Sequence, residues 1–147
     1  GGSGSGCIPT LPYESVEAVL TERGFACQDE ANPYSDALAT LDCELMLAYV
    51  ELDVSLSLNS GHIQGYYGTL KITHDDLSVG SPIDEAFLTW LAALPFGADA
   101  EAKQAAENWI AKNLSEPQER AEVTIRGYTY VLEHHSMGMR LYVNGRG

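Results

Sequence analysis

The chain has few bases. Lys and Arg total 8 against 21 Asp and Glu in 147 residues, a formal net charge of −13. Nucleic acid and anionic lipid surfaces are excluded as expected partners, because polyanions are drawn by a basic footprint. Long apolar runs are also lacking. The longest charge-free apolar stretch, Ala86 to Ala98, is broken by Pro95 and Gly97 and falls well short of the ~20 residues a membrane-spanning helix needs. No segment reads as a signal peptide. Nor is there a GxGxxG, P-loop, HExxH, EF-hand loop or GxSxG, so no cofactor is implied and no established catalytic pattern is met. Only three cysteines occur, Cys7, Cys27 and Cys43, and none forms a CxxC pair. Zinc and dithiol redox patterns are thereby missing.

What is present is enough apolar residue, 45%, to build a core. Residues 1–12 read as a flexible linker, an expression scar or a lead-in: Gly and Ser fill the first six places, and two prolines interrupt the next six. Residues 13–147 read as a single α+β domain.

A helix is expected from Tyr13 to Arg23, because Val16, Val19 and Leu20 repeat at three and four. Gly24 and Phe25 then supply a Schellman stop. The stretch Gln28 to Asp36 reads as a polar loop. Three strands are expected next. Leu41, Cys43 and Leu45 alternate with Asp42 and Glu44, and Val50 to Leu58 alternate with Glu51, Asp53, Ser55 and Ser57. The apolar parity switches between Leu47 and Val50, which requires a turn or bulge there. Ile63 to Thr73 forms the third strand, with Tyr66, Leu70 and Ile72 on one face. Ser81-Pro82 opens a helix that Pro95 stops, and Asp99 caps another. Val123 to Ile125, a tight turn at Arg126-Gly127, Tyr128 to Leu132, a connection over His134 to Gly138, and Met139 to Val143 close the domain. The expected order is α-βββ-αα-βββ: two layers, with the helices on one face of an antiparallel sheet.

Cys27 follows a helix stop and Cys43 lies on the apolar side of a strand. A disulfide between them closes a short loop and stabilises by about 3 kcal/mol in the chain-entropy model; the competing reading is two buried thiols in a reducing compartment. Cys7 stands outside this pair.

Val19 to Cys27, then Leu41-Asp42-Cys43 opening a hairpin, resemble small bacterial exported or lipoprotein domains with a Gly-Phe-x-Cys helix stop. Leu94-Pro95-Phe96 and the closing hairpin fit the same pattern. The resemblance implies a secreted or envelope-anchored location, with room for a lipid anchor upstream, and no particular activity. The acidic α-βββ-αα-ββ order is also similar to type III secretion chaperones, which are cytosolic dimers, although the closing helix of that family is missing.

Chemistry-bearing clusters are sparse. His74-Asp75-Asp76 could serve proton transfer or a cation in a small enzyme, and equally reads as a solvated turn; no metal ligand set is assigned. His134 and His135 point to opposite faces of a strand, so they do not share a site. The better lead is a surface. Asp42, Glu44, Glu51 and Asp53 fall on one sheet face; Tyr49 shares the polar parity of Glu51, and Tyr142 that of Arg140. Such a face either keeps the protein in solution or receives a partner through its charge and its tyrosine. The expectation is a non-catalytic, extracytoplasmic domain that acts by protein binding or envelope assembly.

Overall fold

The computed structural model describes residues 13–31, 38–47, 50–59, 62–72, 82–116, 118–135 and 138–145. Helix α1 (Tyr13–Glu22) leads into β1 (Ala26–Ala31), β2 (Leu38–Met46), β3 (Val50–Asn59) and β4 (His62–Ile72). Helix α2 (Pro82–Ala93), a 3₁₀ turn (Leu94–Phe96) and α3 (Ala100–Ser115) follow, then β5 (Arg120–Ile125), β6 (Tyr128–His135) and β7 (Gly138–Asn144). All seven strands join one antiparallel sheet in the order β1-β2-β3-β4-β7-β6-β5.

This α+β architecture corrects the expected order α-βββ-αα-βββ. Four strands, not three, precede α2, and a seven-stranded sheet dominates the molecule. The additional strand, β1, lies where a polar loop is expected. Its sequence, Ala-Cys-Gln-Asp-Glu-Ala, has no apolar alternation because it is an edge strand with no row of core side chains to supply. Pairing to β2 holds it, from Ala26 opposite Glu44 to Ala31 opposite Ala39. The closing hairpin is also longer than its pattern: β6 continues through His134 and His135, and β7 starts at Gly138.

Local stops follow the chemistry of their residues. Gly24 takes φ +100°. The Phe25 amide then donates to the Leu20 carbonyl at 2.9 Å, and the Gly24 amide to Thr21 at 3.0 Å. These are the paired bonds of a Schellman motif. Arg126 and Gly127 take φ 54° and 86°, as a two-residue turn joining twisted strands requires. Asp99 caps α3 by accepting from the Ala102 amide at 3.1 Å. The Leu47 amide donates to the Val50 carbonyl at 2.8 Å where the apolar parity switches. Ser81, expected to cap α2, lies outside the described residues.

The helices cover one face. Leu41, Leu56, Leu70, Leu132 and Leu141 from the sheet are fully buried beside Leu20, Leu88, Leu91 and Ile110 from the helices. Each such side chain stabilises by about 2 kcal/mol. Two tyrosines fix α2 to the sheet: the Tyr66 hydroxyl donates to the Leu91 carbonyl at 2.5 Å, and the Tyr130 hydroxyl to Ala92 at 2.6 Å. They satisfy carbonyls that the helix C-terminus leaves without internal partners. Close approach requires Gly68, because a Cβ there would stand 2.1 Å from Leu91 Cδ2.

A one-sided sheet and its open face

Strand side chains alternate between faces, so filling one face with core residues assigns the complementary set to the other. No helix among the described residues covers that second face. Its rows follow from the register. In one row Glu44, Asp53, Thr69, Arg140 and Glu133 stand side by side on β2, β3, β4, β7 and β6. In the next, Asp42, Ser55, Tyr67, Tyr142 and Val131 do the same. Glu51 pairs with Lys71 beyond the first row. A cleft of about 620 Å³ lies over these rows.

The cleft has an acidic bank. Glu44, Glu51 and Asp53 bring carboxylate oxygens within 4.8 Å of one another. Asp53 is half-buried, and its pKa is pushed from 3.8 up to about 6, first by burial and then by the like charges of Glu51 and Glu44, with Lys71 opposing. Asp42 stands apart from this triplet. It accepts a 2.6 Å hydrogen bond from the Ser55 hydroxyl.

The opposite bank is aromatic and basic. Arg140 lies over the Tyr67 ring at 5.5 Å and the Tyr142 ring at 5.9 Å. The two rings are themselves 5.7 Å apart. Arg140 Nε donates to Thr69 Oγ1 at 3.0 Å, and a terminal nitrogen donates to the Tyr142 hydroxyl at 3.1 Å.

Four of the surface residues singled out by sequence, Asp42, Glu44, Glu51 and Asp53, therefore share one face and line one cleft. Tyr49 lies outside the described residues, as do Cys7, His74, Asp75 and Asp76. Tyr67 and Thr69 were not singled out by sequence. Their signal was the complement of an assignment already made: placing Tyr66, Leu70 and Ile72 on the core face puts Tyr67, Thr69 and Lys71 on the other. Register then decides that Tyr142 meets Tyr67, and no sequence pattern carries that.

Cys27 and Cys43 form a disulfide. They pair directly across β1 and β2 with Cα atoms 4.0 Å apart. The bond is consistent with an oxidising, extracytoplasmic location. No helix among the described residues is long and apolar enough to cross a membrane. No family model, curated protein or solved structure matches the chain.

Proposed function

We propose that the chain is a non-catalytic binding domain of an extracytoplasmic compartment, secreted or anchored at a bacterial envelope, and that its open sheet face docks a protein partner. The observation that carries this reading is the tyrosine–arginine cluster set beside an acidic bank on a sheet face that no helix among the described residues covers. Tyr and Arg are enriched where proteins meet; Tyr buries planar area at low entropic cost, and Arg140 is already held by Thr69 and Tyr142. The disulfide weighs against a cytosolic chaperone, for which free thiols are expected.

The test is the size of the native assembly. The full chain is isolated from its native source and compared with Tyr67→Ala/Tyr142→Ala and with a helix-side control, Lys103→Ala/Glu107→Ala. Loss of the larger species in the tyrosine variant alone is expected. A species unchanged in the tyrosine variant, or lost equally in both, overturns the reading.

A further inference from the structure

We propose that the open face receives a protein segment bearing one carboxylate and one cationic side chain, the carboxylate held by Arg140 and the cation by Glu44, Glu51 and Asp53. This rests on the reading of that face as a docking surface and names the chemistry of its partner.

Arg140 carries the first half of the argument. The other arginines of the closing strands are matched by acids: Arg120 to Glu122 at 3.1 Å, and Arg126 to Asp99 at 3.1 Å and Glu101 at 3.7 Å. Among the described residues no carboxylate lies within 4.0 Å of Arg140. Two neutral oxygens and two rings hold it. Its plane is fixed, and its charge is offset only in part, by Glu133 directly opposite on β6. One terminal nitrogen has no hydrogen-bond partner among the described residues, so part of the guanidinium fork remains to donate. A planar fork oriented in advance suits a carboxylate, which it can engage through two parallel bonds.

The acidic bank carries the second half. Asp53 stands two strands from Arg140 in the same row, about 10 Å at ordinary strand spacing. Burial first, and then the like charges of Glu51 and Glu44, raise its pKa, with Lys71 opposing. Charge of opposite sign, offset only in part by Lys71 on one side and Glu133 on the other, thus stands at the two sides of one cleft. Complementary charge on a partner relieves both, and fixes its register and direction. In an extended segment, residues i and i+2 project to the same side about 7 Å apart. Flexible Lys and Glu side chains cover the remaining distance.

The test uses the full chain, isotope-labelled, near neutral pH and at low salt. The probes are acetylated, amidated peptides: Lys-Ser-Glu, Lys-Ser-Gln and Gln-Ser-Glu. The Arg140 Nε–H signal and the β3, β4 and β7 amides report binding. Saturable shifts with Lys-Ser-Glu are expected, weakened about fivefold by either peptide replacement, the share of a partly exposed ion pair. Arg140→Gln, with its fold checked by near-ultraviolet circular dichroism, is expected to bind Lys-Ser-Glu and Lys-Ser-Gln alike. Because the peptide changes leave the protein intact, the result does not depend on that variant folding. Equal binding of Lys-Ser-Glu and Lys-Ser-Gln by the unmodified chain overturns the role of Arg140 while leaving the docking reading standing. Equal binding of Lys-Ser-Glu and Gln-Ser-Glu does the same for the acidic bank. Absence of saturable shifts on this face up to about 10 mM peptide overturns the whole inference; the docking reading then stands or falls on the native assembly.

Discussion

Glu44 and Asp53 stand directly opposite each other across β2 and β3, two carboxylates in one row with Glu51 close enough to make a third. Like charges facing each other across a strand pair are destabilising. The chain keeps this arrangement on its open face, where a partner's cation can offset it.

One consequence is a pH dependence. Asp53 binds its proton more tightly in the folded chain, with a pKa of about 6, than at its ordinary 3.8. Its contribution to stability is therefore fully present below 3.8, falls as pH rises from about 4 to 6, and stays low above that. Asp53→Asn removes the loss. In urea unfolding at pH 7.5 the variant is expected to be more stable than the parent by about 1 kcal/mol, after allowance for partial exposure, with little difference near pH 4. A variant no more stable at pH 7.5 contradicts the crowding of charge described here.

The disulfide secures an edge. Among the described strands β1 pairs only with β2, and Cys27–Cys43 links the two covalently. Cys27→Ala/Cys43→Ala is expected to lose about 3 kcal/mol, the chain-entropy value for a loop of this length. Hydrogen exchange locates the loss: β1 amides are expected to lose protection first, with β4 and β7 least affected. Uniform loss across the sheet contradicts this local role.

Packing of α2 rests on an absent side chain. Gly68→Ala places a methyl group 2.1 Å from Leu91 Cδ2 in a fully buried contact. A cost of about 1–3 kcal/mol is expected, as for other overpacked cores. The double variant Gly68→Ala/Leu91→Ala is expected to cost less than the sum of the two single changes, because one relieves the other. Gly138→Ala should cost more than Gly68→Ala. Its Cβ would meet the Leu70 carbonyl oxygen at 1.9 Å, and backbone cannot swing aside as a side chain can. Denaturation midpoints of the four variants check the ranking.

Much of the scaffold was legible because local chemistry and global packing agree. Val50 to Leu58 alternates in sequence and, apart from buried Ser55, in burial, since one face of that strand meets the core. Gly24, Asp99 and Arg126-Gly127 mark stops, caps and turns through conformational needs that are strictly local. Strand β1 was not legible, because edge position and pairing define it rather than any pattern of its own. The acidic bank could be read from parity alone. The meeting of Tyr67 with Arg140 and Tyr142 could not: they lie more than seventy positions apart, and β4 pairs with β7 across α2, α3 and two further strands of the chain.

The central claim is that the open sheet face, rather than the helical face, meets a protein. A photo-cross-linking residue placed at Tyr142, and in parallel at Glu107 on α3, tests it in cells of the native source. A discrete adduct from position 142 that fades in Arg140→Gln, and none from position 107, is the expected result. Adducts from position 107 alone, or equal adducts from both, would contradict it.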